Sequence, residues 1–128
     1  MIPKFRAWLK NDKEMIEVDE IHFDNGQLDF IGDAITFMRT VDEIELMQST
    51  GLFDKNGKEI FEKDIVDYRG RKAIVNWHGS YASFIYRFVD ELHKRNAEWN
   101  PLYLAYLKFE VIGNVYENKD LLEASDDQ

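Results

Sequence analysis

Between Gly51 and Val66 the chain reads GLFDKNGKEIFEKDIV, and the Asn56-Gly57 pair within it constrains the fold more than any other feature. A type I′ turn needs positive φ at both central residues, which asparagine and glycine tolerate, so the pair predicts a reversal near Asn56 between two strands. Other segments share this rhythm. Phe5, Ala7 and Leu9 alternate with Lys4, Arg6 and Trp8, which is strand spacing. Asn11 to Lys13 then separates this run from Met15 to Val18, and Asp24-Asn25-Gly26 separates Glu20 to Phe23 from Gln27 to Ile31; both interruptions have hairpin-turn composition.

Ala34 to Met47 carries Ile35, Phe37, Val41, Ile44 and Met47 at spacings that fit alternation and looser helical periodicity, and is read as strands. Further on, Ile65 to Tyr68 and Lys72 to Trp77 flank Arg69-Gly70-Arg71, and Ser80 to Phe88 comes after a break at His78-Gly79. Strands at such intervals predict a small barrel or sandwich. Asp90 to Lys108 interrupts the pattern: Asp90 to Glu98 has few β-branched residues and Asn100-Pro101 forces a break, so one short helix or an irregular excursion is expected there. Phe109 to Tyr116 returns to strand character, and Asn118 is placed to cap a terminal turn through Asp120, Leu121 and Leu122. No repeat or Pro/Gly/Ser linker interrupts residues 1–123, so a single domain is expected, with an acidic, frayed tail over 124–128.

The 128 residues are 45% hydrophobic and 14% aromatic, enough to build a packed core. Absence of cysteine excludes disulfides, thiolate metal sites and cysteine nucleophiles. No signal-peptide core or membrane-length apolar run occurs, which leads to the expectation of a cytoplasmic protein without membrane contact. The net charge of -9 is concentrated at the two ends: residues 1 to 50 hold eleven acids against five bases, whereas residues 51 to 86 hold five acids against six bases. This distribution disfavours nonspecific binding to nucleic acid or anionic lipid.

Each motif that hints at chemistry also has a plain structural role. Gly51 and Gly57-Lys58 fail the phosphate-loop pattern, because five residues separate the glycines and Glu59 stands where a magnesium-binding hydroxyl belongs. Asp54, Asn56 and Gly57 resemble a calcium loop only faintly, since the glycine comes at the fourth position rather than the sixth. His22, His78 and His93 lack paired metal-ligand spacing. Glu62, Asp64 and Asp67 invite a paired-carboxylate hydrolase, but Asp64 fits better as an acceptor of backbone N–H groups in the turn before its strand. No catalytic, cofactor or metal residue is therefore assigned, and a non-enzymatic protein is expected.

Three segments, KFRAW at Lys4 to Trp8, LMQSTGLFDKNGKEIFEKDIV at Leu46 to Val66 and FEVIGNVYENKDLLE at Phe109 to Glu123, together resemble the beginning, centre and end of the YopX family of phage and prophage proteins. The resemblance implies a mainly β protein with a small SH3-like barrel, here carrying additional N-terminal hairpins and one short helix, and it implies no known activity. One residue departs from the family: Lys63 stands before Asp64 where the family usually has glycine. If that position needs positive φ, lysine costs on the order of 1 kcal/mol.

Two surfaces remain as contact candidates. Arg69, Arg71 and Lys72, near Tyr68, Trp77 and Tyr81, could hold single-stranded nucleic acid through phosphate pairing and stacking, although a solvated hairpin tip explains them as well. Trp99, Tyr103 and Tyr106 lie in WNPLYLAYL, a segment so apolar that it should be buried, on the barrel or against another subunit. The expected role is that of a phage or prophage accessory protein that binds a protein, itself as a homo-oligomer or a bacterial host factor. The alternatives are a nucleic-acid-binding barrel and an acidic, DNA-mimicking inhibitor of a host protein.

Overall fold

A computed structural model describes residues 4–95 and 98–123; the expected tail over 124–128 lies outside them. The chain divides into two compact units, Met1–Gln48 and Ser49–Gln128, and every strand pairing described is antiparallel.

The first unit contains β1 (Phe5–Leu9), β2 (Glu14–Val18), β3 (Ile21–Asp24), β4 (Gln27–Gly32), β5 (Met38–Thr40) and the start of β6 (Ile44–Phe53). β1 runs between β2 and β6, with Ala7 opposite Ile16 on one side and Leu46 on the other. Its alternation has the expected result: Ala7 and Leu9 are buried with Ile31 and Ile44, and Ile16, Val18, Leu28 and Phe37 pack around them. The β3–β4 hairpin turns on Asn25 and Gly26 at φ 53° and 79°, the mirror-image turn that suits twisted strands. The stretch from Ala34 to Met47 yields β5 and the start of β6, separated by a 3₁₀ turn at Val41–Glu43. Glu43 holds that turn by accepting the Thr40 N–H at 2.9 Å.

The second unit contains the end of β6, then β7 (Glu59–Phe61), β8 (Asp64–Tyr68), β9 (Arg71–His78), β10 (Ser83–Phe88), the two-residue β11 (Asn100–Pro101) and β12 (Glu110–Asn114). The sheet in the order β11-β10-β9-β8-β12 curls as a half-barrel, the expected small mainly β fold. One face of it presents Val66, Ala73, Val75 and Val111 to Ile60, Leu102 and Phe109, with Tyr68, Phe84, Tyr86 and Phe88 packed around this core.

The reversal near Asn56 occurs, but not as a type I′ turn. Only Gly57 has positive φ, 84°, because the Asp54 carboxylate draws in the N–H groups of Asn56 and Lys58 at 2.8 Å each, while the Gly57 N–H bonds to the Asp54 carbonyl at 3.0 Å. This is the longer hairpin loop that ends in a left-handed glycine. The mirror-image pair falls instead at Arg69 and Gly70, φ 53° and 87°, between β8 and β9.

Between β10 and β12 the expected short helix or irregular excursion consists of 3₁₀ turns at Val89–Glu91, Leu102–Leu104 and Tyr106–Lys108, with no α-helix among the described residues. Near the C-terminus a 3₁₀ turn forms at Lys119–Leu122, but the Asn118 side chain does not cap it. Its Oδ1 instead accepts the Asn114 N–H at 3.1 Å, pulling the chain back onto the end of β12.

Candidate interaction surfaces

The acidic residues near β8 are occupied by backbone geometry. Asp64 is buried and accepts the Phe61 N–H at 2.8 Å, and Asp67 accepts the Gly70 N–H at 3.2 Å. Both therefore stabilise turns, the role that its position predicts for Asp64. Lys63, just before them, has φ 69°, so the family-atypical residue does sit in the left-handed region. Its Nζ donates to Asn76 Oδ1 at 2.7 Å, and its backbone groups bond to Val75 and Val115.

Asp54 reads as a plain turn residue in the sequence, yet it ties two distant segments together. Besides the hairpin amides, it accepts the Val111 N–H of β12 at 2.8 Å. Burial raises its carboxyl pKa, but the amides of Val111, Lys58 and Asn56 and the nearby Lys58 charge outweigh this and hold it below its ordinary value of 3.8.

The three basic residues do not share one environment. Arg71 donates to both Asp90 oxygens at 3.0 and 3.1 Å and to Glu91 at 2.7 Å, with its guanidinium 3.6 Å from the Phe88 ring centroid. The Asp90 bond is the main reason that its pKa rises, and the same bond lowers that of Asp90. Arg69 lies 5.2 Å from the Tyr68 ring centroid, and Lys72 is partly exposed opposite Asp67. Arg71 is thus held by two carboxylates rather than presented as a free cation.

The aromatic candidates also separate. Trp99 joins His78 and Tyr81 in a three-ring cluster with centroids 4.9 Å apart, and Tyr106 packs on the core beside buried Leu102. Tyr103, Leu104 and Leu107 are exposed at 61%, 68% and 66%. The expectation that this whole segment is buried on the barrel therefore fails: successive 3₁₀ turns send Leu102, Ala105 and Tyr106 inward and the other three outward.

A further surface lies in the first unit, where the sequence reading places no site. A groove of about 360 Å³ is lined by the apolar Ile16, Val18, Ile31 and Phe37 and by the acidic Glu17, Asp19, Glu20 and Asp33. Its far wall is closely fitted for a local reason. Gly32 has φ 101°, and a Cβ there would overlap the carbonyl group of Phe37, so only glycine permits the close approach. Asp33 then accepts N–H bonds from Ile35, Thr36 and Phe37 and the Thr36 hydroxyl bond at 2.6 to 3.0 Å. The Thr36 hydroxyl and these amides hold its pKa well below the usual carboxylate range. The acidic run EVDE at Glu17 to Glu20 is the only trace of this groove in the sequence, because its other wall comes from residues 31–37.

Among the described residues, no group of three or more histidine or acidic side chains could hold a metal ion, and no helix is long and apolar enough to cross a membrane. The fold and surfaces define a small, mainly β protein with a curled antiparallel sheet. The chain belongs to the YopX protein family, whose model matches residues 4–123. It is similar to the crystal structure of protein EF1440 from Enterococcus faecalis, with 30% identity and a TM-score of 0.70, covering 96% of this chain and 99% of that one. No curated protein matches it.

Proposed function

We propose that this YopX-family protein is a non-enzymatic accessory protein of a phage or prophage, acting in the bacterial cytoplasm through protein contacts, in the first place with a second copy of itself. The observation that carries this reading is the outward-facing trio Tyr103, Leu104 and Leu107, anchored from below by buried Leu102 and core-packed Tyr106. Large apolar side chains on a supported segment favour association when they are withdrawn from water against a matching surface. A symmetric pair of such segments would provide one.

Sedimentation velocity over a range of protein concentrations tests the proposal. The expected result is a concentration-dependent dimer that Leu104→Ser/Leu107→Ser converts to monomer, with circular dichroism unchanged. A wild-type protein that remains monomeric throughout would overturn self-association.

A further inference from the structure

The geometry points to the groove beside β2 as a docking site for an extended, basic peptide segment of a partner protein, which would add to the sheet as a further strand. This site goes beyond the self-association proposed above and uses a different surface.

Three observations converge on it. First, β2 pairs with β1 on one side, and no ladder is formed on its other side among the described residues. Alternate residues of such an edge strand direct N–H and C=O groups away from the sheet, and an extended peptide satisfies them in register. Second, Ile16 and Val18, two residues apart on β2, border the groove, and Ile31 and Phe37 complete its apolar lining. That repeat of two matches the spacing at which an added strand presents side chains to one face. The volume of about 360 Å³ falls near the small end of ligand pockets, which suits individual side chains rather than a large cofactor.

Third, the charge around the groove selects the occupant. Its lining includes four carboxylates and no lysine or arginine. Glu17 lies opposite Arg6 in the β1–β2 register, so Asp19, Glu20 and Asp33 form the more uniformly negative part. His22 Nε2 lies 3.5 Å from the Glu20 carboxylate. Lysine or arginine side chains flanking an apolar residue would meet these carboxylates while the apolar side chain enters the lining. Asp33 and Gly32 hold the far wall in place before any ligand arrives, which limits the ordering cost of binding.

The test uses a fluorescent heptapeptide of alternating lysine and valine with the full-length protein. Asp19→Asn/Glu20→Gln should weaken binding about fivefold, the sum expected for two exposed charge pairs. Asp120→Asn/Glu123→Gln, with the same change in net charge at a distant place, should leave affinity unchanged. A peptide of the same side chains with alternate backbone nitrogens methylated should not bind, and amide NMR shifts should cluster in residues 14–20 and 31–37. Equal weakening by both charge variants, equal binding of the methylated peptide, or shifts confined to residues 49–123 would each overturn the site. Leu104→Ser/Leu107→Ser should retain peptide binding, so failure of self-association and failure of this groove are read separately.

Discussion

The two units solve the same problem of stabilising antiparallel strands with different resources. Four buried residues, Ala7, Leu9, Ile31 and Ile44, form the core cluster of the first, whereas seven, from Ile60 to Val111, form that of the second. The smaller cluster is accompanied by a tightly fitted loop, where Gly32 touches the Phe37 backbone and Asp33 collects the following amides. In the larger unit a single buried carboxylate, Asp54, joins a hairpin to β12. Left-handed residues other than glycine do not separate the two units, since Lys13, Asn25 and Ala34 hold that conformation in the first and Lys63, Arg69 and Ala82 in the second; the contrast lies in core size and in how each unit ties its loops.

The strongest way to break the contrast is Gly32→Ala. The added methyl meets the Phe37 carbonyl group first and its ring as well, and the left-handed φ adds strain, so a loss of about 3 kcal/mol or more is expected. Hydrogen exchange should accelerate across residues 5–47 before it does so across β8 to β10. Equal acceleration of both regions would show that the close approach stabilises the whole chain alike.

Asp54→Ala is the corresponding lesion in the second unit. Three amides lose their acceptor, that of Val111 buried and those of Asn56 and Lys58 only partly so, which should cost about 2 kcal/mol in denaturant unfolding. The same carboxylate gives a pH signature. Its folded pKa is depressed, so its contribution is present above the ordinary value of 3.8 and is lost as pH falls through the lower folded value. Stability should therefore decline in acid, and Asp54→Asn should flatten part of that decline; an unchanged acid limb would assign it to other carboxylates.

The smallest effect concerns Lys63. Glycine would remove the left-handed strain, but it would also remove the bond to Asn76. In an Asn76→Ala background, where that bond is already absent, Lys63→Gly should stabilise by about 1 kcal/mol in thermal or denaturant unfolding. A neutral or destabilising result there would mean that the lysine stem contributes packing that offsets the strain.

Local signals with one dominant cause are legible in the sequence. The alternation at Phe5 to Leu9 produces a buried face, Asn25-Gly26 and Arg69-Gly70 produce reversals, and Lys63 announces a backbone anomaly that its φ of 69° bears out. Signals mislead where a side chain from a neighbouring position changes the outcome. Asp54 converts the Asn56-Gly57 turn to another type, and Asn118 bonds back to Asn114 rather than capping the 3₁₀ turn at Lys119–Leu122. The WNPLYLAYL segment is not buried whole on the barrel, the first of its two expected alternatives, because apolar composition does not say which residues a series of 3₁₀ turns will point outward. The groove is least legible, since its walls meet only when residues 16–20 and 31–37 are brought together.

The clasp on Arg71 has a consequence for any flat ligand. Phe88 already has a guanidinium over one ring face, and Tyr68 has that of Arg69. A nucleobase seeking to stack there must evict an internal cation and, at Phe88, also break its bonds to Asp90 and Glu91. Ring faces at Tyr68 and Phe88 are thus contested from within the molecule, whereas Trp77 and Tyr81, exposed at 47% and 64%, carry no such cation among the described residues.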